Sequence, residues 1–383
     1  MKIAIVTDTY FPRINGVSVS TRIFAREFVL RGHEVHIHAP AYPDKTEDGE
    51  PFKITRYPSI YLAFDPEDRL AYGVIRGKKR AFLAEKYDIV HTQTPFTLGW
   101  SATMWARSAK IKVVHTYHTF YAAYLNHYFQ FLPRSLKIAS AREISKRYCN
   151  MCDLVVAPSL QMQEEVVSYR TRTPVVTIPT GIDLDRFNNR QPRQFRAKHN
   201  FSENEVLFLY AGRLAEEKNI DFIFGAFRRV LGCIPNCRLM IAGEGPSRKR
   251  LEDLAQEMGI SLRVNFLGYI QGDELRDCYA AADLFVFASV TETQGLVLIE
   301  AMASGTPVVA VGKMGVLEIM RGERAGILVD LNEEDFCGAL IKMVTDKKLY
   351  RRKKKETVLE AQKWSSKMMA GRMIEEYEKL LGQ

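Results

Sequence analysis

The sequence lacks any apolar stretch of the 18 or more residues that a membrane-spanning helix needs. It also lacks the pattern of a secretion signal, because residues 2–6 form a strand-like run that leads directly into Thr7 and Asp8. A signal would need a charged segment, an apolar stretch and a small-residue cleavage site. These absences predict a protein that stays in the cytoplasm.

Cysteine is scarce, with six residues in a chain of 383. Cys149 and Cys152 have CxxC spacing, but a metal site would need a second such pair or nearby histidines. In a long chain without a secretion signal, the six cysteines read as ordinary reduced thiols. The sequence therefore does not favour a zinc or redox site.

Acidic residues are outnumbered by basic ones, and the formal net charge is +9. A basic chain favours an anionic partner such as a nucleotide, a nucleic acid or an acidic lipid. Simple solubility would explain the same excess. The location of the charge is therefore more informative than its total.

Strand-like apolar runs alternate with helix-length stretches along the whole chain. The runs are residues 3–7, 35–39, 88–93, 112–118, 154–158, 175–179, 206–211, 238–243, 263–267, 284–288, 306–311 and 326–330. Many are continuous and rich in Val and Ile, which is typical of parallel strands buried on both faces. The series restarts near Val206, after a polar stretch. We predict an α/β fold of two Rossmann-like, doubly wound domains, 1–180 and 181–360, that face a cleft at the carboxyl ends of their strands.

The densest chemical signal lies in residues 289–309. A strand ends near Ser289, a short loop carries Glu292 and Gly295, and a helix begins near Leu296. The free N–H groups of that helix suit a diphosphate, and glycine lets a ligand approach the backbone. Glu292 and Glu300 could accept hydrogen bonds from sugar hydroxyls. The alternative is that Glu292 caps the helix and Glu300 is solvated, although apolar residues flank Glu300.

A second signal covers residues 210–219, where Arg213 and Lys218 follow the strand that ends at Gly212. Two fixed cations at the carboxyl end of a strand can neutralise a diphosphate leaving group, and Arg adds a planar fork of donors. Either cation alone is usually a surface residue. Together, after a strand and a glycine, they favour a functional site.

Two glycine turns complete the pattern. Asn15 and Gly16 make a tight turn before a helix, and the stretch 242–246 places Gly243 directly after another strand. Neither turn has the GxGxxG spacing of the usual dinucleotide-binding fingerprint. Such turns often do no more than end a strand.

These motifs, taken in order, resemble the large retaining glycosyltransferase family of GT-B fold, glycosyltransferase group 1. The resemblance rests on Gly212-Arg213, Glu217-Lys218, Gly243-Glu244-Gly245-Pro246 and the pair Glu292 and Glu300. It covers nearly the whole chain and is strongest over residues 206–311. It implies that a nucleotide-sugar is the donor substrate, that no cofactor or metal is required, and that residues 361–383 form a C-terminal helix that returns to the N-terminal domain.

The resemblance also implies residue roles. Arg213 and Lys218 would hold the donor diphosphate, and Glu300 would bind the ribose hydroxyls. Glu292 and the backbone of Thr293, Gln294, Gly295 and Leu296 would contact the donor sugar. Gly16 and Gly243 would lie near the donor, Tyr269 and Ile270 would meet the base, and His118 would hydrogen-bond the transferred sugar. His118 could instead be an ordinary histidine at a strand end.

The mechanism that the family implies is transfer with retention of anomeric configuration. The glycosidic bond of the donor would break through an oxocarbenium-like state, and the negative charge would build on the diphosphate. Fixed positive groups would stabilise that charge. Because no carboxylate nucleophile is identifiable, the expectation is front-face attack in which the leaving phosphate takes the acceptor proton.

The acceptor side is predicted in the N-terminal domain. Residues 115–132 are dense in aromatics with interleaved histidines, and the basic segments 76–80 and 134–147 stand on either side. Aromatics beside cations suit an anionic membrane surface, and residues 347–355 add seven basic residues. The block resembles bacterial diacylglycerol glucosyltransferases, which implies a lipid acceptor, UDP-glucose and a peripheral position on the inner face of the membrane. Core aromatics and a solvated helix would give the same pattern.

Other functions stay open at this point. A nucleotide-sugar epimerase or hydrolase could use a similar fold but would need an acid/base pair, which the sequence does not offer. A glycosyltransferase could use a soluble acceptor. A non-catalytic anion-binding protein would not need the combined set of cations and carboxylates, and no nucleic-acid recognition module is visible, so nucleic acid is not an expected partner.

Overall fold

The computed structural model describes residues 1–43, 49–62, 65–72, 78–118, 134–292 and 294–382. The chain divides into two compact units. The first comprises Met1–Gly181 together with Ser366–Gln383, and the second comprises Ile182–Ser365. Residues 361–365 of the segment that we predict to return therefore belong to the second unit.

A parallel seven-stranded sheet forms the centre of the first unit, in the order β3-β2-β1-β6-β7-β8-β9. Its strands are β1 (Lys2–Val6), β2 (Glu34–Pro40), β3 (Lys53–Tyr57), β6 (Ile89–Thr92), β7 (Lys112–Thr116), β8 (Leu154–Ala157) and β9 (Val175–Thr177). A separate antiparallel pair consists of β4 (Ser59–Leu62) and β5 (Asp65–Ala71). The described helices of this unit are α1 (Gly16–Leu30), α2 (Lys78–Ala84), α3 (Thr97–Ser108), α4 (Arg134–Cys149), α5 (Leu160–Ser168) and, last in the chain, α14 (Ser366–Leu381).

Helix α14 completes the core of the first unit. Met373 and Tyr377 are fully buried in the same cluster as Ile3 and Phe28 of β1 and α1. The Tyr377 hydroxyl also lies 2.5 Å from Nδ1 of His91, on the central strand β6. The last helix is therefore an integral layer of the first unit.

The second unit has a parallel six-stranded sheet in the order β12-β11-β10-β13-β14-β15. Its strands are β10 (Val206–Ala211), β11 (Cys237–Ala242), β12 (Val264–Gly268), β13 (Leu284–Phe287), β14 (Val308–Val311) and β15 (Gly326–Val329). Its helices are α6 (Pro192–Lys198), α7 (Ile220–Cys233), α8 (Arg248–Glu257), α9 (Gly272–Ala281), α10 (Leu296–Ala303), α11 (Gly315–Ile319), α12 (Glu333–Thr345) and α13 (Lys347–Gln362).

Both sheets share one topology. In each, the first strand lies inside the sheet, the next two extend to one side and the later ones to the other. The order therefore reverses between β1 and β6 in the first unit, and between β10 and β13 in the second. Open α/β sheets bind ligands at the carboxyl ends of the strands beside such a reversal. The prediction of two Rossmann-like, doubly wound sheets is confirmed.

The continuous apolar runs form strands buried on both faces. Most residues of β10, β13 and β14 are buried, because helices cover both sides of a doubly wound sheet. The edge strand β3 differs, since only Tyr57 of its five residues is buried. None of the described helices is long and apolar enough to span a membrane.

Candidate active site

The loop after β10 carries the two predicted cations. Gly212 has φ +152°, a conformation that favours glycine, and the Tyr210 hydroxyl donates to the Arg213 carbonyl at 3.0 Å. The Arg213 side chain is 65% exposed, and its Nη2 donates to Glu217 Oε1 at 2.5 Å. The loop backbone is thus tied to the sheet, while the guanidinium projects outward beside a carboxylate.

Lys218 and Glu292 come from different loops and meet as an ion pair. Lys218 ends a 3₁₀ turn (Glu216–Lys218), and its Nζ donates to Glu292 Oε2 at 2.7 Å. Both side chains are largely shielded, with exposed fractions of 18% and 24%. The contact joins the loop after β10 to the loop after β13, across the point where the strand order reverses.

The glycine after β11 packs directly on the first loop. Gly243 has φ +143°, and a Cβ atom at this position would lie 1.9 Å from the Gly212 carbonyl oxygen. Gly245 is equally close to the neighbouring turn, where a Cβ atom would lie 2.3 Å from the Leu214 carbonyl oxygen. Side chains are therefore excluded, and the two backbones form one surface at the edge of the sheet.

Helix α10 presents its N-terminus to the same edge. Gly295 caps it with φ +83°, and a Cβ atom there would lie 2.8 Å from Leu298 Cδ1. Gln294 is buried, and Leu296 is the first residue of the helix. Thr293 lies outside the described residues. The first N–H groups of a helix have no partner within it, so this end supplies partial positive charge beside Glu292.

Glu300 lies one turn further along α10. Its Oε2 accepts a hydrogen bond from the Tyr279 hydroxyl at 2.8 Å, and Tyr279 is fully buried in α9. Burial raises the pKa of the Glu300 carboxyl, whereas the Tyr279 hydrogen bond and the charge of Arg186 lower it. The carboxylate is therefore held in one orientation by a buried phenol.

Tyr269 and Ile270 follow β12 at the far side of the same edge. The Tyr269 side chain is 56% exposed, and Ile270 is partly buried against the core of the second unit. Gly268, with φ +73°, accepts a hydrogen bond from Gly243 N at 2.8 Å through its carbonyl oxygen. The turn after β12 is thus connected to the turn after β11.

The structure therefore brings together every predicted residue of the second unit that it describes. Four consecutive strand ends, from β12 to β13, contribute to one edge of one sheet. Two cations and a helix N-terminus stand there beside two carboxylates and the partly buried backbone of Gly243. Such an edge can bind an anionic group through charge and amide donors, and hydroxyl groups through the carboxylates.

His118 and Gly16 belong to the first unit, at the carboxyl edge of its sheet. Nε2 of His118, which follows β7, lies 2.8 Å from Oε1 of Gln93, which follows β6. Burial lowers the pKa of His118 to about 4, so the ring is neutral at pH 7. Gly16 is the first residue of α1, and Asn15 caps that helix by accepting from Ser18 N. A Cβ atom on Gly16 would meet nothing within 4 Å.

Known proteins match this chain over both units. The family model of the glycosyl transferases group 1 matches residues 192–358, and that of glycosyltransferase family 4 matches residues 14–186. The alpha-monoglucosyldiacylglycerol synthase of Streptococcus pneumoniae is 34% identical over 351 residues, which are 89% of this chain and 78% of that protein. The chain belongs to the group 1 glycosyltransferases.

Another relative of this glycosyltransferase is named for a GDP-mannose donor. The GDP-mannose-dependent alpha-mannosyltransferase of Corynebacterium glutamicum is 29% identical over 90% of this chain and 77% of that protein. Among solved structures, Anabaena HepE in complex with UDP superposes with a TM-score of 0.80 at 18% identity, covering 99% of this chain and all of the other. That likeness supports the fold, and the prediction of a GT-B glycosyltransferase is confirmed.

Sequence reasoning missed several contributors to the glycosyltransferase site. Tyr279 holds Glu300, Gln93 holds His118, and Asn219 adopts the left-handed conformation that starts α7. Gln93 could have been found, because it ends a predicted strand next to the one that leads to His118. Tyr279 is 21 residues from Glu300 in another helix, and no local pattern connects them.

One acidic pair with Asp-x-Asp spacing does occur, at Asp183 and Asp185. Asp183 caps a 3₁₀ turn (Leu184–Phe187), where its Oδ1 accepts from Asp185 N at 3.1 Å. Across the described residues, no three His, Cys, Asp or Glu side chains are grouped as metal ligands. Cys149 and Cys152 are free and buried, and burial raises the pKa of both thiols.

The proposed acceptor segments are only partly described. Most of the aromatic block 115–132 (residues 119–132) and part of the basic segment 76–80 lie outside the described residues. In α4, the Arg147 Nε pairs with Glu143 at 2.9 Å, and Arg142 lies 3.8 Å from Glu165. Carboxylates therefore offset part of the positive charge of this helix.

Proposed function

We propose that this glycosyltransferase moves a hexose, glucose in the first instance, from UDP-glucose to a membrane glycolipid acceptor, diacylglycerol or its monoglycosyl form. The observation that carries the donor side is the meeting of Lys218 and Glu292 at the sheet edge beside Arg213 and the start of α10. Positive groups for a diphosphate lie there next to an acceptor for sugar hydroxyls.

Each donor contact has a structural basis. Arg213 and Lys218 bind the diphosphate. To do so, Lys218 replaces its hydrogen bond to Glu292 with one to the diphosphate. Glu292 and the backbone at 293–296 bind the sugar. Glu300 binds the ribose through Oε1, because Oε2 accepts from Tyr279. Gly243 lets the donor reach the backbone, and the turn at Tyr269 and Ile270 contacts the base.

Transfer proceeds with retention of configuration and without metal. The bond between the anomeric carbon and the diphosphate oxygen breaks, and the acceptor oxygen bonds to the same face of that carbon. The acceptor proton moves to the leaving phosphate. Arg213, Lys218 and the N-terminal amides of α10 are in place before charge develops, and such preorganised groups stabilise a transition state strongly.

His118 and Gly16 act on the donor from the first unit. Gln93 orients a neutral His118, which hydrogen-bonds the transferred sugar without adding a positive charge beside it. Gly16 leaves open space at the start of α1, which allows an anionic group to approach its amide.

The acceptor assignment rests on similarity. The Streptococcus pneumoniae relative is named as an alpha-monoglucosyldiacylglycerol synthase, and the match spans most of both chains. A lipid acceptor places the protein peripherally on the inner face of the cell membrane. The mannosyltransferase relative, at 29% identity, makes mannosyl transfer from GDP-mannose the second candidate.

The test is a matrix of donors and acceptors. UDP-glucose, UDP-galactose and GDP-mannose are each incubated with diacylglycerol, with monoglucosyldiacylglycerol and with soluble sugars, in neutral detergent. We expect an α-glucosyl lipid by mass spectrometry and by the anomeric proton coupling. Transfer to a soluble sugar alone would contradict the lipid acceptor. Free glucose or UDP-galactose formed from UDP-glucose alone would indicate a hydrolase or an epimerase.

A further inference from the structure

Helix α13 carries a strongly basic exposed face that the donor site does not use. Its sequence has seven basic and two acidic residues between Lys347 and Gln362. The exposed basic residues are Lys347, Lys348, Arg351, Arg352, Lys354 and Lys355. None of these six side chains forms an ion pair with another described residue.

The charges are segregated around the helix. At 100° per residue, the six exposed cations fall within an arc of about 160°. Glu356 and Glu360 lie on the other side, where Glu360 pairs with Lys363 at 2.7 Å and is mostly buried. The seventh basic residue, Lys353, also points inward and donates to the Glu323 carbonyl. The outer face is therefore free of acidic residues.

Apolar side chains extend the same face. Val358 and Leu359, one turn after the cations, are 39% and 62% exposed. Both fall within the arc of the basic residues. Cations beside exposed aliphatic residues are typical of helices that lie in the headgroup region of a membrane.

The inner face fixes the position of this helix. Helix α13 packs against α10, α12 and β15 within the second unit. Its buried residues include Thr357 and Ala361. The basic face is therefore presented by a rigid element.

We propose that the outer face of α13 is a docking surface for an anionic phospholipid bilayer. The choice of a bilayer over a nucleic acid rests on Val358 and Leu359 and on the proposed lipid acceptor. The proposal assigns the main electrostatic attraction to the membrane to α13 and not to α4, where Glu143 and Glu165 pair with arginines. Six cations of α13 are exposed and form no ion pair within the described part of the chain, although Lys354 Nζ lies 5.6 Å from the centroid of the Tyr350 ring. An anionic surface complements them.

The test is sedimentation with phosphatidylcholine vesicles that do or do not contain phosphatidylglycerol. Each Lys or Arg near an anionic surface strengthens binding about fivefold, so K347Q/R351Q/K355Q should bind roughly 100-fold more weakly. The charge-preserving control K347R/R351K/K355R should bind like wild type. Removing three cations from α4, as R142Q/K146Q/R147Q, should have a smaller effect. The difference should shrink at high salt.

A second pair of measurements separates a bilayer from other polyanions. L359N should weaken binding to anionic vesicles and leave binding to heparin unchanged. Equal vesicle binding by wild type and K347Q/R351Q/K355Q would overturn the proposal. Binding of wild type to RNA but not to vesicles would also overturn it.

The failure of this surface and the failure of the proposed function are distinguishable. In neutral detergent, where no bilayer exists, the α13 variants K347Q/R351Q/K355Q, K347R/R351K/K355R and L359N should transfer sugar to diacylglycerol at the wild-type rate. If wild type transfers nothing to lipid there, yet vesicle binding still depends on α13, the acceptor assignment fails and the docking surface stands.

Discussion

Replacing either cation of the donor loop with alanine should stop transfer, but the two replacements should differ in stability. Arg213 and Lys218 are assigned to the same diphosphate. Removing one preorganised electrostatic group lowers turnover by roughly 10²–10³-fold, about 2.7–4 kcal/mol in activation free energy. Both Arg213→Ala and Lys218→Ala should therefore fall in that range.

The free energy of unfolding should separate them. The Arg213–Glu217 pair is exposed, and pairs of that kind contribute about 0–1 kcal/mol. The Lys218–Glu292 pair is largely shielded, and Lys218→Ala leaves the carboxylate without its partner. We expect a loss of about 1–2 kcal/mol, between an exposed pair and the 3–5 kcal/mol of a fully buried one.

The assay is initial-rate transfer with UDP-glucose, with urea unfolding measured on the same preparations. Arg193→Ala is the matched control, because its ion pair with Glu203 lies before β10, at the opposite edge of the sheet. It should lose neither activity nor stability. A folded Arg213→Ala or Lys218→Ala with a near-normal rate would refute the diphosphate assignment for that residue.

Three further outcomes are expected. Gly16→Ala should fold normally, since its Cβ meets open space, and should bind donor more weakly because that Cβ fills the space at the start of α1. Gly243→Ala should instead lower the melting temperature through its clash with Gly212. Calorimetry and UDP titration separate the two effects. Transfer should survive exhaustive EDTA, because side-chain cations and helix amides supply the positive charge, and loss restored by Mg²⁺ or Mn²⁺ would contradict this. Buried histidines in the first unit have pKa values lowered by burial, so the unfolded chain takes up protons that the folded unit does not. The histidines are His36, His38, His91, His115 and His118. Stability should therefore fall as the pH drops below about 6.5, by about 1.4 kcal/mol per pH unit for each histidine that stays neutral, and continue falling towards pH 4. Urea unfolding of Trp364→Phe at pH 7 and 5.5, which keeps the tryptophans of the first unit as probes, measures this, and equal midpoints would contradict it.

The buried parallel strands could be predicted from the sequence, because their apolar runs are continuous. Each of the twelve predicted runs overlaps a strand, and the boundaries of β10 agree at both ends. The strands β3, β4 and β5 were missed. β3 (Lys53–Tyr57) lies at the sheet edge and has three polar residues among its five, and only Tyr57 is buried, so no continuous apolar run marks it.

The site was predictable where glycine and charge follow a strand. The positions of Arg213, Gly243 and Gly295 follow from that local pattern, and the structure places all three at one edge. The Lys218–Glu292 contact spans 74 residues, and the Tyr279–Glu300 contact joins two helices. Those contacts depend on strand order in the sheet, which single-sequence patterns do not encode.

The path of the chain has a consequence for synthesis. The second unit is inserted between two parts of the first, and the Ile182 amide donates to the Trp364 carbonyl at 2.8 Å where the chain enters and leaves it. On the ribosome, α14 is synthesised only after the roughly 180 residues of the second unit, which takes about 10–40 seconds at ordinary translation rates. The sheet of the first unit lacks its last helix for that time. During that interval the apolar surface that Met373 and Tyr377 later cover is open to water or to a chaperone. The N-terminal unit begins folding first, yet it is the second unit that can finish first.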